Sequence, residues 1–318
     1  MSSIFVYFKN RPMFLKGIYV GKPAIFQLIV LLLLIMAGAV FSSLLAMGIL
    51  HLAHVPYTDM GRYPDMMRVL QLLSAIGTFL FPALALAWLC SNNPREYLSF
   101  GNRKPYGSFA SGLYGLTFLS VLLLSPTISL TGLLNKQMEL PSFMAPVESW
   151  MRAQEEAAEK TTLMLLAGEG VTTLIFNLIV IAGAAGVTEE FLFRGALQRV
   201  IGKWTCNHHV IIWSAAIIFS AFHMQFFGFL PRMLLGAYFG YLLHWSRNIW
   251  IPVFAHFVNN ACAVISLSNI RLKNSEFITG DISAENLLPY TIVSIATLYL
   301  FYCCTKHIKK RLSANELL

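Results

Sequence analysis

Apolar stretches of about twenty residues recur along this chain, and they constrain its fold more than any other feature. A helix needs roughly 20 predominantly apolar residues to cross the hydrocarbon core of a bilayer. Charged residues make up only 12% of the chain, whereas a soluble domain carries about 25%. The sequence therefore predicts an all-α, polytopic membrane helix bundle with about eight transmembrane helices. The approximate spans are Ala24–Leu50, Met66–Cys90, Ser108–Leu134, Val171 to about Gly202, His208–Met224, Phe226–His244, Asn248–Leu267 and Leu287–Thr305.

The charged residues of the loops are distributed unevenly. If the N-terminus is cytoplasmic, the inner segments hold fourteen basic residues against two acids, and the outer segments hold seven against eleven. An excess of Lys and Arg on the cytoplasmic side sets the orientation of membrane proteins. Eight spans then place both termini in the cytoplasm. The same distribution accounts for the net charge of +8, so we predict a lipid bilayer as partner and no nucleic acid.

The chain shows no attached soluble domain and no internal repeat. We predict a single integral membrane domain over residues 1–318. The longest connection lies between the third and fourth spans, and its second half, Val147–Lys160, predicts an extramembrane helix. The five cysteines show neither C-x-x-C nor zinc-finger spacing, so no disulfide framework and no thiolate metal site is indicated.

Three ionisable residues interrupt the fourth span: Glu189, Glu190 and Arg194. A charged side chain at mid-depth costs roughly 2.5–3.5 kcal/mol on insertion scales and usually marks a pathway, a relay or an active site. Glu190 and Arg194 are four residues apart, so they share a helix face and can form a charge-assisted pair. Glu189 points about 100° away from that face. We assign Glu190 and Arg194 to structural support and Glu189 to chemistry; the alternative is that both glutamates only brace helices.

Further polar groups lie in the fifth and seventh spans. His256 and Asn260 are four residues apart, so both can face one cavity. At about 1.5 Å of rise per residue, His223, Asn260 and His256 lie roughly 21, 18 and 12 Å from the inner ends of their spans. Glu189 reaches this depth only if its helix continues well beyond it. We therefore predict a continuous helix through Gly195.

The sixth span contributes another cation and a pattern of small residues. Arg232 lies inside the span and needs a carbonyl or carboxylate partner, so it is either a second cation for the site or a structural arginine. Gly236 and Gly240 form a small-xxx-small pattern, which lets helix backbones approach closely. We expect close packing between the fourth and sixth spans.

Three motifs on successive predicted helices carry a resemblance to a known family. They are Glu189-Glu190-x-x-x-Arg194, Phe219-x-x-x-His223 and His256-x-x-x-Asn260. In this order they resemble the CPBP family of intramembrane metalloproteases, also called the CAAX protease and bacteriocin-processing (ABI) family, which includes the type II CAAX prenyl endopeptidases. The resemblance covers about residues 175–265 and implies a catalytic core of four helices within 171–267.

The resemblance implies an intramembrane endopeptidase that hydrolyses membrane-associated protein or peptide substrates in a cavity open to the cytoplasm. It assigns Glu189 and His223 to activation of the attacking water. It assigns His256 and Asn260 to stabilisation of the oxyanion. The expected location is the cytoplasmic (inner) membrane of a bacterium, as a multi-pass protein, and no substrate is identified.

The resemblance leaves the role of a metal open. Glu189, His223 and His256 are a plausible set of zinc ligands with one open coordination position for water. Their spacing is not the HExxH pattern of zinc proteases on a single helix. A water activated by glutamate without a metal is the other alternative, and we favour it.

Two functions of other classes compete with hydrolysis. A non-catalytic membrane scaffold or a bacteriocin-immunity-type protein would use the same fold without chemistry. A proton-coupled transporter would also suit intramembrane Glu and His. Transporters often consist of two similar halves, whereas the polar groups of this chain cluster in the fourth to seventh spans.

Overall fold

The computed structural model describes residues 15–101, 107–269, 272, 275–276 and 282–314. Throughout these residues the regular elements are helices, which confirms the all-α prediction. Several residues that count in the predicted charge asymmetry lie outside the described part, namely Lys9, Arg11, Arg103, Lys104, Arg271, Lys273, Asp281 and Glu316.

Nine helices of fifteen residues or more make up the described bundle, and short 3-10 turns join some of them. The helices are α1 Ala24–Leu52, α2 Pro64–Cys90, α3 Gly107–Lys136, α4 Ala145–Leu166, α5 Val171–Ile201, α6 His208–Phe222, α7 Phe229–Ser246, α8 Trp250–Ser268 and α9 Leu287–Ala314. Helix α4 extends the helix predicted over Val147–Lys160 by several residues at its C-terminal end.

Seven of the helices in the described part are long and apolar enough to cross a membrane: α1, α2, α3, α5, α7 with the turn before it, α8 and α9. The protein is therefore an integral, multi-pass membrane protein. The helix predicted over His208–Met224 is shorter in the structure, where α6 ends at Phe222 after 15 residues. A helix of that length covers about 22 Å, less than the roughly 30 Å of a hydrocarbon core.

Contacts between loops mark the two ends of the bundle. At one end, the amide of Ile249 donates to the carbonyl of Ser99 at 2.8 Å. At the other end, the side-chain amide of Asn135 donates to the carbonyl of Phe226 at 3.1 Å. We call the end near Ser99 and Ile249 the basic end, because the arginines and lysines of the α5–α6 turn, of the α7–α8 turn and of the C-terminal part of α9 lie there. We call the end near Asn135 and Phe226 the α4 end.

Helix α5 runs without a break from Val171 to Ile201 and passes through Gly195, as predicted. Two stretches of it, Leu178–Ala184 and Phe191–Leu197, are π-helical. Such wider turns are rare in helices and are frequent at functional sites. The first stretch precedes the glutamate pair, and the second follows it directly.

Glycines let α5 approach two neighbouring helices closely. A Cβ at Gly186 would stand 3.2 Å from the carbonyl oxygen of Val253 in α8. A Cβ at Gly236 in α7 would stand 3.1 Å from Nη2 of Arg194. The predicted close packing of the fourth and sixth spans is confirmed, since Arg194 donates to the carbonyl of Gly236 at 2.9 Å.

Candidate active site

The predicted ion pair between Glu190 and Arg194 is present on α5. Arg194 Nη1 lies 2.8 Å from Glu190 Oε1, and both side chains are fully buried. The guanidinium also lies over the ring of Phe219, 4.4 Å from its centroid. One cation is thus held by a carboxylate, a carbonyl and an aromatic ring, so the pair is tied to α6 and α7 as well as to its own helix.

Glu190 has a second partner, which sequence reasoning did not find. His256 of α8 donates from Nδ1 to Glu190 Oε1 at 2.8 Å. The ring of His256 stacks on Phe239 with centroids 5.1 Å apart and is almost completely buried. Glu190 therefore orients a histidine in addition to pairing with an arginine.

Glu189 faces two histidines from two other helices. Its Oε2 lies 3.9 Å from Nε2 of His223 and 3.8 Å from Nε2 of His256. The side chain of Glu189 is 14% exposed and that of His223 is 29% exposed. Glu189 Oε2 is buried and has no hydrogen-bond partner among the described residues. The structure thus brings together the three ionisable groups that the sequence placed inside three different spans.

Hydrogen bonds at the far side of each ring fix how the two histidines face Glu189. His223 donates from Nδ1 to the carbonyl of Phe219 at 2.9 Å, and His256 donates from Nδ1 to Glu190. In a neutral imidazole with its hydrogen on Nδ1, Nε2 carries a lone pair. Three lone-pair atoms therefore converge, and they require a proton, a cation or a donating water among them.

The donors do not fit a zinc ion as they are placed. Ligands at about 2.0–2.2 Å from a tetrahedral zinc stand about 3.4 Å apart, whereas Glu189 Oε2 is 3.8 and 3.9 Å from the two nitrogens. In the described part of the chain, no group of three His, Cys, Asp or Glu side chains is arranged to hold a metal ion. Zinc binding by Glu189, His223 and His256 stays a prediction, and no step below passes through it.

Asn260 makes its hydrogen bonds elsewhere. Its Nδ2 donates to the carbonyl of Ile181 at 3.2 Å, and its Oδ1 accepts from Asn259 at 3.1 Å. No hydrogen bond within the described residues joins it to Glu189 or to either histidine, which differs from the single cavity expected for His256 and Asn260. Ile181 lies in the first π-helical stretch of α5, and a side chain inserted into a disturbed helical ladder commonly takes up a carbonyl there.

Arg232 completes the polar surroundings of the site. Its Nη1 donates to Oε1 of Gln225 at 2.8 Å, and Nη2 contacts the carbonyl of the same residue. Its Nε is buried without a hydrogen-bond partner in the described residues. Arg232 is close enough to Glu189 and His223 for their charges to interact. Gln225 was missed in the sequence because a lone glutamine in a turn carries no pattern.

Two cavities lie along α5 near the glutamate pair, although neither is lined by Glu189 or Glu190. An apolar crevice of about 540 Å³ runs between α2 and α5 and reaches Thr188, next to Glu189. A more polar cavity of about 540 Å³ opens at the basic end and is lined by Arg194, Arg199, His244 and Arg247 among others. The first is lined by apolar side chains up to the residue before Glu189, and the second reaches Arg194.

Comparison with known proteins places the site in a family context. Residues 171–262 match the family model for type II CAAX prenyl endopeptidases, described as Rce1-like. The resemblance predicted from the three motifs is thereby confirmed. The Rce1-like segment holds every residue of the three motifs and supports endopeptidase activity within the membrane.

One curated relative also matches the chain. The uncharacterized protein YpbD of Bacillus subtilis (strain 168) is 34% identical over 92 residues, which are 28% of this chain and 42% of YpbD. The match thus spans less than half of the relative. No solved structure matches the chain.

Proposed function

We propose that this protein is an endopeptidase that hydrolyses peptide bonds of membrane-associated proteins or peptides. The observation that supports it best is the unpaired carboxylate of Glu189, which faces the Nε2 atoms of His223 and His256 at 3.9 and 3.8 Å. A hydrolase needs a group that takes a proton from water beside a group that gives one to the leaving amine. A carboxylate between two anchored imidazoles supplies both.

The gap between Glu189 and the histidines suits a water molecule. A water at about 2.8 Å from each of two acceptors fits between atoms that are 3.8–3.9 Å apart. In our mechanism this water donates one hydrogen to Glu189 Oε2 and the other to His223 Nε2. Its oxygen lone pairs then point away from both residues, towards a bound peptide carbonyl.

The first chemical step transfers one proton and forms one bond. The water oxygen attacks the carbonyl carbon, Glu189 takes the proton, and the electrons of the carbonyl double bond move to its oxygen. His223 keeps its hydrogen bond to the attacking oxygen. Positioned acid–base groups of this kind contribute about 10²–10⁴-fold in rate.

The contacts of His256 suggest which group stabilises the oxyanion. Its Nδ1 is held by Glu190, and its Nε2 faces Glu189, so a proton on Nε2 would lie beside the reacting atoms. We place this proton on His256, whose Nδ1–H stays on Glu190 while its Nε2–H points at the oxyanion. Asn260 has a second amide hydrogen besides the one given to Ile181, and we assign it to the same oxygen.

The second step completes hydrolysis. The oxyanion reforms the carbonyl, the carbon–nitrogen bond breaks, and Glu189 gives its proton to the leaving nitrogen. The products are a carboxylic acid and an amine, and Glu189 returns to its starting form. The apolar crevice that ends at Thr188 suits delivery of a substrate from the lipid phase.

The test is cleavage of membrane-delivered peptides by the purified protein in liposomes, with products identified by mass spectrometry. Glu189→Gln and His223→Ala should each lower the rate by at least about 100-fold, with unchanged helix content. Glu169→Gln, in the loop before the same helix, is the matched control and should be fully active. Full activity of either site variant would show that Glu189 or His223 is not part of the chemistry. If the protein is a non-catalytic scaffold instead, the Glu189→Gln variant should still complement a deletion strain.

A further inference from the structure

The polar cavity at the basic end takes no part in the proposed hydrolysis. Its volume of about 540 Å³ lies within the roughly 300–1,000 Å³ of ligand pockets. Its walls come from the second half of α5, the turn between α7 and α8, and the connection between α2 and α3. Glu189, His223 and His256 do not line it. We call it the basic-end cavity and ask which ligand its own residues would recognise.

Two arginines in the lining have no anionic partner among the described residues. Arg199 lies near the C-terminal end of α5, with Cζ 4.8 Å from the ring centroid of Tyr97. Arg247 directly follows α7 and is exposed. Arg194 also lines the cavity, but Glu190 balances its charge. The two unpaired guanidinium groups offer the planar sets of N–H donors that match phosphate oxygens best.

A buried amide adds further donors to this cavity. Gln198 lines the cavity and is only 9% exposed, and its Oε1 is buried without a hydrogen-bond partner in the described part of the chain. Its Nε2 makes no hydrogen bond to a described residue either. Buried polar groups of native proteins are normally satisfied by protein or by water. An amide nitrogen carries two hydrogens, so a ligand with acceptor oxygens would use the donors of Gln198.

The surroundings of the basic-end cavity favour a lipid over a soluble anion. Trp204 and Trp250 are 52% and 38% exposed at this end of the bundle, and tryptophans concentrate where a bilayer meets water. Ile211 and Leu243 give the cavity an apolar wall, which a phosphate ion would not use and the glycerol and first methylenes of a lipid would. The excess of basic residues predicts that this end faces the cytoplasm, whose leaflet contains anionic lipids.

We propose that the basic-end cavity binds the phosphate of an anionic phospholipid from the cytoplasmic leaflet. Arg199 and Arg247 contact the phosphate oxygens, and Nε2 of Gln198 donates a hydrogen bond to one of them. Basic pockets between transmembrane helices on the cytoplasmic side bind such headgroups. Among the described residues that line the cavity, Glu96 is the one acid, and its charge opposes the anion. The proposal does not depend on the proposed hydrolysis.

Native mass spectrometry of the detergent-purified protein measures lipid binding independently of catalysis. Phosphatidylglycerol and phosphatidylcholine with identical acyl chains are added separately, and the parent should bind the first more tightly. Arg199→Gln and Arg247→Gln should each weaken phosphatidylglycerol binding by about fivefold, the contribution of one basic residue near an anionic lipid surface. Glu96→Gln should strengthen it. Arg95→Gln and Lys203→Gln are the matched controls, because both residues are exposed at the same end and neither lines the cavity.

Equal binding of the two lipids by the parent would overturn the proposal. Control variants that weaken binding as much as the two cavity arginines would also overturn it, because surface charge would then suffice. If Arg199→Gln unfolds after losing its contact with Tyr97, Arg247→Gln decides, since Arg247 is exposed and contacts no aromatic ring among the described residues. Glycerol phosphate distinguishes the source of the phosphate. Displacement of the bound lipid by an equal concentration of glycerol phosphate would overturn the assignment to a lipid.

Discussion

Glu190 Oε1 accepts a hydrogen bond from His256 Nδ1 at 2.8 Å, and the same oxygen is 2.8 Å from Arg194 Nη1. One buried carboxylate oxygen therefore connects the structural cation of α5 to a histidine that faces Glu189. The two adjacent glutamates contact opposite nitrogens of one ring: Glu190 binds Nδ1 of His256, and Glu189 faces its Nε2. A change at Glu190 should consequently alter both stability and catalysis.

We expect Glu190→Gln to lower the free energy of unfolding by about 3–5 kcal/mol, because it leaves the buried Arg194 without a charged partner. Activity should fall as well, since His256 loses the group that fixes its ring. Unfolding in detergent and the cleavage assay measure the two effects. Glu148→Gln is the control, because its pair with the exposed Arg152 is screened by solvent and should contribute little to stability. A Glu190→Gln protein as stable as the parent would contradict this account.

The Asn260→Ala variant distinguishes two roles of the Asn260 side-chain amide, oxyanion stabilisation and binding of the Ile181 carbonyl. If its second hydrogen reaches the oxyanion, kcat should fall by about 10²–10³-fold with KM little changed. If Asn260 only holds the carbonyl of Ile181, stability should fall while kcat is retained. Ser266→Ala on the same helix is the control, because its hydroxyl donates only to the carbonyl of Cys262 one turn earlier, and we expect it to keep kcat. Steady-state kinetics and unfolding of both variants decide between the roles.

Gly236→Ala tests the close contact between α5 and α7. The added Cβ would stand 3.0 Å from Phe219 and 3.1 Å from Nη2 of Arg194. Overpacking of this kind costs about 1–3 kcal/mol, and it should also displace Arg194 from the carbonyl of Gly236. Gly115→Ala is the matched control, because a Cβ at that position meets nothing within 4 Å. Equal stability of the two variants would argue against a tight α5–α7 contact.

Removal of metal should leave activity intact. The donors around Glu189 are spaced for a shared water more closely than for a tetrahedral zinc ion. We therefore expect the same cleavage rate before and after dialysis against a strong chelator, with metal content measured on the same samples. Activity that is lost with the metal and restored by zinc would replace the water mechanism with a zinc one.

Much of the fold follows from apolar length and periodicity. Seven predicted spans correspond to helices of membrane-crossing length, because a long apolar run has few alternatives in lipid. The fifth span was predicted too long. Its apolar run continues to His223 and Met224, but the chain turns there, since Ser220 and Asn135 bind the backbone of the following turn. Asn135 is distant in sequence, and Ser220 of α6 binds the first residue of α7, so apolar length alone reveals neither contact.

Helical spacing also predicted the Glu190–Arg194 pair and the separate direction of Glu189, because four residues make about one turn. The spacing of residues along one helix does not determine how that helix is rotated about its axis relative to its neighbours. The hydrogen bond from His256 to Glu190 and the turn of Asn260 towards Ile181 depend on how α8 packs against the π-helical part of α5.

The sequence by itself thus determined an all-helical membrane protein with a carboxylate and two histidines inside its apolar spans. Burying charges in an apolar span is costly enough that few arrangements remain. Only the tertiary structure decided which carboxylate contacts which imidazole, and which backbone carbonyl Asn260 binds. These depend on the rotation and close approach of neighbouring helices, and contacts between distant residues set both.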